Sequence, residues 1–366
     1  MRKCSCGRLC RVWARFSESE ADVKEIIRKL TECYGPSGHE AAVRDMILAE
    51  LKAAGILSGK TTEARVDALG NLVVRRAGSG GGSRVMVAAH MDEIGVVVTH
   101  VDQRGFLRFS AIGGVRPLPL LGGRVRFLDG TIGVIGLEKM DDSSKIPSLE
   151  KFFIDVGAAS RESCRVKVGD VGCFQRTCDE LGDRIVAKAM DDRIGCAVLI
   201  EVMRELDASP HDISFVFTVQ EEVGLRGAIT SGYGAEPEVA LAVDVTYTGD
   251  TPECAPMAVE LGAGPAIKIK DGGMLTHVGV KEWLLTTAEM AGIPFQREVL
   301  ASGTTDASAI QTTRAGVPAG CVSVPTRYVH MPSEMVDYRD VLGAVKLLVR
   351  ALSGPIEIGV SDAPRR

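Results

Sequence analysis

The sequence predicts an α/β fold in which a doubly wound, largely parallel sheet carries an inserted small β-barrel. Helical and extended apolar patterns alternate along residues 21–95 and again along 183–353, as they do in sheets covered on both faces. The segment 84–90 is almost continuously apolar, which is typical of a strand buried on both faces. Residues 96–182 instead carry short β-rich runs separated by Gly pairs and Asp-Gly turns, without a helical period. We therefore expect one discontinuous main domain (21–95 and 183–353) and one inserted barrel domain (96–182).

The elements can be assigned in order along the chain. Apolar residues at helical spacing predict a first helix from residue 21 to near Tyr34. Ser37 and Glu40 form a capping-box pattern that predicts a second helix ending at Gly55. After the inserted segment we expect helices at 192–206, 274–291, 304–315 and 337–352, and strands at 184–190, 213–220, 239–245, 265–270, 295–300 and 319–324.

Composition excludes several classes of function. The chain has 366 residues, of which 45% are apolar and 25% are charged, the proportions of a soluble globular protein. A formal net charge of −5 indicates no basic face for nucleic acid. No apolar run approaches the ~18 residues that a membrane helix needs, so we expect no membrane partner.

Cysteine usage bears on the cellular compartment. Three of the ten cysteines lie in residues 1–20, a basic segment that lacks the apolar run of a signal peptide and that we expect to be a disordered extension. Their spacing also lacks the C-x-x-C pair and the fourth ligand of a zinc knuckle. The other seven are scattered through apolar segments, as reduced core thiols are, which predicts a cytoplasmic protein.

Acidic residues and histidines follow the predicted strands at their carboxyl ends. A single acid in such a place is usually a helix N-cap, but capping does not explain a set at five strand ends. Because binding sites gather at this edge of a parallel sheet, we expect the side chains to meet. They are His90 with Asp92, Asp191 with Asp192, Glu221 with Glu222, Asp244, and His330. The other four histidines have ordinary structural interpretations.

This mixture of imidazoles and carboxylates predicts a metal site. Such donors suit zinc-like or cobalt-like divalent ions, whereas oxygen-only sites favour magnesium or calcium. Two histidines with several carboxylates suffice for two ions that share a bridging carboxylate and activate a water. In the pair Glu221-Glu222, one carboxylate can bind metal while its neighbour takes a proton from that water. Asp92 stands two residues after His90, a position suited to fixing the tautomer of the imidazole.

Short segments, in order along residues 21–352, also carry a family resemblance. They read YGPSGHE at 34–40, DALGN at 67–71, AHMDEIG at 89–95, KAMDDRIG at 188–195, VQEEVG at 219–224, VD at 243–244, SGTTDA at 302–307 and PTRYVH at 325–330. Together they resemble the M42 metallo-aminopeptidases, enzymes with two cooperating metal ions. Departures are modest: Met190 stands where the family more often has Leu, and Thr304 where it more often has a second Gly.

The resemblance implies roles for the clustered residues. The implied metal ligands are His90 and Asp244 for one ion, Glu222 and His330 for the other, and Asp191 as the bridge. Glu221 would be the general base, and Asp92 would orient His90. The cofactors would be two divalent ions, zinc or cobalt, and the reaction would release N-terminal residues from peptides.

The resemblance also implies partners. Family members assemble as dimers and tetrahedral dodecamers whose active sites face an interior cavity, with the inserted domain (96–182) as the assembly domain. We therefore expect a homo-oligomer acting on short or unfolded peptides. Residues 261–273 and 302–308 would line the pocket for the N-terminal residue.

Three alternatives remain open from the sequence. A deacylase of N-acylated amino acids or peptides would use the same metal pair but would not need a free amine. An endoglucanase-type glycosidase would use two metal-free carboxylates and would survive a chelator. A non-catalytic assembly protein would be expected to have lost ligands, whereas all the implied positions are intact here.

Overall fold

The computed structural model describes residues 23–59, 61–140, 142 and 144–358. It has an eleven-stranded sheet with helices on its faces and a closed barrel of six further strands, so the predicted fold class is confirmed. The expectation for residues 1–20 lies outside the described residues. Within them, the seven cysteines are free thiols, and no helix has the length and apolar character to cross a membrane.

The first part of the chain contributes two helices and three strands. They are α1 (23–32), α2 (Ala41–Ala53), β1 (Thr62–Val66), β2 (Leu72–Arg76) and β3 (Arg84–His90). Val43, Ile47 and Leu51 recur at helical spacing and form the buried face of α2.

The capping box predicted for α2 is wrong. The helix begins at Ala41, and the preceding Glu40 makes no side-chain cap. Ser37 Oγ donates instead to Asp92 at 2.6 Å, and Glu40 Oε1 accepts the backbone N–H groups of Gly38 at 2.7 Å and of Gln220 at 3.1 Å. Both side chains are engaged by tertiary contacts, which the local pattern does not reveal.

The middle of the chain forms the barrel. Its strands are β4 (Gly95–Val101), β5 (Leu107–Ile112), β6 (Arg124–Phe127), β7 (Ile132–Leu137), β8 (Phe152–Asp155) and β9 (Val171–Phe174). They close in the order β4-β5-β8-β7-β6-β9 with antiparallel pairing throughout. Inward side chains such as Val125, Phe127 and Ile154 build a core of their own.

The remainder of the chain completes the sheet. Its elements are β10 (Asp179–Leu181), β11 (Arg184–Ala187), α3 (Met190–Glu205), β12 (Asp212–Thr218), α4 (Arg226–Ala235), β13 (Val239–Thr246), β14 (Ala266–Lys270), α5 (Val278–Ala291), β15 (Gln296–Val299), α6 (Asp306–Gln311), β16 (Ala319–Arg327), β17 (Glu334–Asp337) and α7 (Tyr338–Ser353).

The centre of the sheet is parallel and covered on both faces. Strands β12, β3, β13 and β16 are parallel neighbours, so their carboxyl ends lie along one edge. Along β3, Val85, Val87 and Ala89 join the core under α2, α3, α5 and α7. The alternate residues Met86 and Ala88 pack with α4 and α6. This alternation is the physical basis of the continuous apolar run in β3.

Helix α4 and strand β17 are among the elements that the sequence analysis does not predict. Helix α4 contains three glycines in ten residues, which lowers its helix propensity. Its Gly227 lies against the backbone of Val219 and the side chain of Asn71, where a Cβ would collide. Strand β17 has only four residues, too few to show a period. Packing against the rest of the fold therefore determines that α4 and β17 form.

Candidate metal centre

The carboxyl edge of the parallel strands brings the predicted side chains together. His90 ends β3 and lies beside Thr218, the last residue of β12, after which the chain bends to Glu221 and Glu222. Asp244 lies near the end of β13. Asp191 opens α3, and His330 lies in the turn after β16 with a positive φ of 63°.

Three overlapping groups of ligand atoms result, each within 4.8 Å: His90, Glu221 and Glu222; His90, Asp192 and Asp244; and Asp191, Glu222 and His330.

Asp191 lies between the two histidines. Its Oδ1 is 3.0 Å from Nε2 of His90, and its Oδ2 is 3.2 Å from Nε2 of His330. The same nitrogen of His330 is 3.4 Å from Oε1 of Glu222. This buried oxygen of Glu222 accepts no hydrogen bond within the described part of the chain. The carboxylate of Asp191 thus faces both imidazoles, as a ligand that bridges two metal ions must.

Asp92 connects His90 to the glutamate pair. Nδ1 of His90 is 3.1 Å from the backbone oxygen of Asp92 and 3.4 Å from its Oδ1. The carboxylate of Asp92 accepts the backbone N–H groups of Glu221 and Glu222 at 3.0 and 3.2 Å. It also accepts the hydroxyl of Ser37. Asp92 therefore orients one imidazole and the backbone of two carboxylate residues at once.

The carboxylates of Asp192 and Glu334 accept hydrogen bonds from the backbone of residues in the cluster. Asp192 Oδ2 accepts the N–H of His90 at 3.2 Å, and its Oδ1 accepts that of Gly195 at 3.0 Å. Glu334 accepts the N–H of Asp191 at 3.0 Å through one oxygen and that of His330 at 2.8 Å through the other. Asp192 was among the side chains predicted to meet, whereas Glu334 was missed because the four-residue strand β17 gives no sequence signal.

The barrel contributes two glycines that sequence reasoning also missed. Gly113 follows β5 with a φ of 73°, and a Cβ there would lie 2.7 Å from Oε2 of Glu222. A Cβ on Gly114 would overlap Nδ1 of His330. The missing side chains let the barrel backbone close over this side of the centre.

A buried ion network underlies the centre. Lys188 Nζ is 2.7 Å from Oε2 of Glu93, and Nη2 of Arg193 is 3.3 Å from its Oε1. Arg193 is fully buried and donates to the backbone oxygens of Met91 and Leu30 at 2.6 Å. The network thereby ties the segment after His90 to the start of α3.

The electrostatics of the cluster favour cations. Burial raises the pKa of Glu221 and of Asp244 well above their usual range, and neighbouring carboxylates add to the effect. Burial likewise raises the pKa of Glu222. Carboxylates crowded together in a site of low dielectric are each easier to ionise when a cation lies between them.

The histidines show the complementary effect. Burial opposes their protonation, but hydrogen bonds that the His90 ring donates to Asp191 and Asp92 hold the pKa of His90 well above its usual range. For His330, contacts with Asp191 and Glu222 outweigh burial and raise the pKa to about 12. Two imidazoles and several ionisable oxygens are the donors that zinc-like ions prefer. The donor set therefore fits divalent metal ions.

Comparison with known proteins agrees with this chemistry. A family model described as M42 glutamyl aminopeptidase matches residues 70–347. A relative in Acetivibrio thermocellus that is named as an aminopeptidase is 45% identical over 335 residues, which cover 91% of this chain and 99% of the relative.

Solved structures of peptidases share the fold. An aminopeptidase of the archaeon Desulfurococcus kamchatkensis is 43% identical with a TM-score of 0.86, and the match covers 91% of this chain and 95% of that one. The TET1 peptidase of Pyrococcus horikoshii, described as able to assemble into a tetrahedron or a large octahedral shell, is 32% identical with a TM-score of 0.79. That match covers 90% of this chain and 99% of the TET1 chain.

Proposed function

The chain belongs to the M42 glutamyl aminopeptidase family, a metal-dependent family of peptide hydrolases, and from that premise we propose that it releases N-terminal residues from peptides with two divalent metal ions and with Glu221 as general base. The observation that carries the proposal is the position of Asp191, whose two oxygens lie 3.0 and 3.2 Å from the imidazoles of His90 and His330.

The proposed ligands divide around Asp191. His90 and Asp244 would hold one ion, Glu222 and His330 the other, and Asp191 would contact both. The overlapping ligand groups around His90 and His330 support this division. Bound ions of this kind lower the pKa of water and polarise a carbonyl group. Zinc and cobalt suit the mixed nitrogen and oxygen donors.

Glu221 is not among these proposed metal ligands, and we assign it the transfer of the proton of the attacking water. Its Oε2 is 4.0 Å from Nε2 of His90, so it borders the cluster without a hydrogen bond to that imidazole. Burial raises the pKa of this carboxyl, which makes it a better proton acceptor near neutral pH. It would take a proton from the attacking water and return it to the leaving amine. Asp92 would keep Glu221 in place through the backbone hydrogen bond at 3.0 Å.

A substrate panel combined with metal analysis tests the proposal. Purified protein would be stripped with a chelator, reloaded with zinc, cobalt or manganese, and assayed on aminoacyl anilides. We expect about two ions per chain and activity that returns with metal, on free amines only. Equal cleavage of N-acetylated peptides would indicate the deacylase, and chelator-resistant hydrolysis of carboxymethylcellulose would indicate the glycosidase.

We also propose that the chain is a homo-oligomer that assembles through the segment 96–182, with 21–95 and 183–353 as the catalytic domain. Barrel residues Leu118, Leu121, Ile132 and Val134 expose large apolar side chains. Mass photometry of the purified protein tests this. Leu121→Asp and Val134→Asp should shift the distribution to smaller species, and an unchanged distribution in both variants would exclude these faces. The free thiols suit a reducing compartment, which supports a cytoplasmic location.

A further inference from the structure

A cavity of about 450 Å³ lies beside the centre. Its walls come from Arg116 of the barrel and from residues within segments 247–257, 299–302 and 326–331, but not from Asp250, Glu253 or His330 of those segments. Tyr328 and Met331, which flank His330 along the chain, line it. The sequence analysis expected the substrate pocket at 261–273 and 302–308, but only Ser302 of those residues lines this cavity. The barrel insertion supplies a wall that the motifs of the main domain do not reveal.

Arg116 is close enough to the centre to meet a substrate there. It is two residues from Gly114, whose backbone lies against the His330 ring. Two residues span at most about 7 Å of chain. The long side chain of an arginine can therefore reach a group one residue away from a bond cleaved at the centre.

The cavity holds one cation that no carboxylate neutralises. Its only charged lining side chains among the described residues are Arg116 and Arg327. Arg327 is paired with Asp250 by two hydrogen bonds, from Nε to Oδ1 at 3.0 Å and from Nη2 to Oδ2 at 2.7 Å. Arg116 makes no ion pair within the described part of the chain. Its guanidinium lies over the ring of Tyr247, 5.6 Å from the centroid, and donates to the phenol oxygen at 3.1 Å.

We propose that this cavity binds a carboxylate of the peptide substrate through Arg116. The proposal rests on the peptidase function proposed above and names the substrate chemistry for that site. A guanidinium presents a planar fork of donors that matches a carboxylate, and stacking on Tyr247 limits its rotamers before substrate arrives. Arg327 does not serve in the same way because Asp250 pairs with its charge and binds its Nε and Nη2.

The carboxylate has more than one source in a peptide. It can be an acidic side chain at the N-terminal residue, an acidic side chain at the second residue, or the free C-terminus of a dipeptide. The apolar stretch Val299–Ala301 in the wall would accept the aliphatic part of any of these. Without Arg116, the same walls would favour a neutral apolar group.

Three substrate pairs distinguish the sources. Glutamyl against glutaminyl anilide tests the first residue, Ala-Glu-amide against Ala-Gln-amide the second, and Ala-Gln against Ala-Gln-amide the free C-terminus. The readout is the ratio of kcat/KM within each pair, measured on the metal-loaded full chain. We expect at least one ratio to favour the carboxylate in the wild type, and Arg116→Met to lower it about tenfold while neutral substrates change less than about twofold. Arg116→Glu should instead favour a lysyl over a glutaminyl anilide.

The matched control is Arg104→Met. Arg104 is also an exposed arginine of the barrel that lies over an aromatic ring, at 5.3 Å from Phe106, but it stands before β5 whereas Arg116 stands after it. All three ratios should be unchanged in this variant. A wild type that prefers no carboxylate, or a preference that survives both substitutions of Arg116, would overturn the proposal while leaving peptide cleavage intact. A metal-loaded wild type that cleaves none of the five substrates in these pairs would instead refute the proposed function.

Discussion

Glu334 holds Asp191 from behind: its Oε2 accepts the backbone N–H of Asp191 at 3.0 Å, while its Oε1 accepts that of His330 at 2.8 Å. These two residues are 139 positions apart in sequence, and a single carboxylate fixes both. Glu334 is buried, and burial with the nearby Asp191 holds its pKa well above the usual range. The geometry of the centre therefore depends on a residue that does not point into it.

Replacing Glu334 should both destabilise the fold and weaken metal binding. Glu334→Ala leaves two backbone N–H groups without a partner, at a cost of about 1–3 kcal/mol for the buried N–H of Asp191 and less for the part-buried N–H of His330. Glu334→Gln keeps one acceptor oxygen, so its free energy of unfolding should fall by about half as much. Removing a residue that hydrogen-bonds to metal ligands typically lowers metal affinity 10–100-fold, and we expect roughly that loss for the alanine variant. Competition with a chromogenic chelator measures the affinity, and thermal unfolding of the metal-free protein measures the stability.

Glu289→Gln, an exposed change on α5, is the control for these measurements and should alter neither. Wild-type metal affinity in Glu334→Ala would show that Asp191 and His330 are held by the rest of the fold.

Glycine at position 114 should be required for an intact centre. A Cβ there would overlap Nδ1 of His330, so Gly114→Ala must displace the ring or the barrel loop. Overpacking of this kind costs about 1–3 kcal/mol, and we expect metal affinity and kcat/KM each to fall by roughly tenfold or more. Gly234→Ala in α4 has open space around the new Cβ and should be neutral or slightly stabilising. An alanine at 114 that binds metal normally would mean that the barrel loop moves away from His330 without cost.

Two substitutions should distinguish a loss of proton transfer from a loss of metal binding. Glu221→Gln keeps the shape of a side chain that borders the cluster, so we expect wild-type metal content and a kcat lower by about 10²–10⁴. Asp191→Ala removes the carboxylate that faces both imidazoles, so we expect lost metal as well as lost activity. Elemental analysis of both proteins with single-turnover assays distinguishes the effects. Wild-type turnover by Glu221→Gln would refute the proton-transfer role.

The meeting of the predicted side chains could be read from sequence because the sheet has parallel strands at its centre. His90, Asp244 and the glutamate pair lie at or just after the carboxyl ends of strands that share an edge, and an acid or histidine at the end of a buried strand is easy to find. Asp191 was predicted from the end of a strand at 184–190, but β11 ends at Ala187 and Asp191 lies in the first turn of α3. The roles assigned to these residues remain proposals.

The residues that hold the centre could not be found in the same way. Glu334 sits in an antiparallel strand of four residues, and Gly114 belongs to the barrel, so no periodic pattern links either one to the main sheet. Ser37 and Glu40 gave a capping signal, yet their side chains reach Asp92 and Gln220 instead. Contacts between distant parts of the chain decided all of these cases.

Lys188 offers the sharpest test of the network beneath the centre. Its ammonium and the carboxylate of Glu93 are both almost fully buried and 2.7 Å apart. Lys188→Met leaves Glu93 with one cation, Arg193, at 3.3 Å, and breaking such a buried pair costs about 3–5 kcal/mol. The double variant Lys188→Met with Glu93→Gln removes the uncompensated charge, so we expect it to recover part of the loss.

Urea unfolding of the metal-free proteins measures these differences in the free energy of unfolding. Lys151→Met is the surface control, because its pair with Glu138 at 3.4 Å is exposed and should contribute less than about 1 kcal/mol. If the network only stabilises the fold, the double variant should regain stability and bind metal as the wild type does. If it also positions the segment after His90 against α3, the double variant should remain weak in metal affinity after its stability returns. The hydrogen bond from Arg193 to the backbone oxygen of Met91 favours the second result, since the ion pair with Glu93 is what fixes the guanidinium from that side.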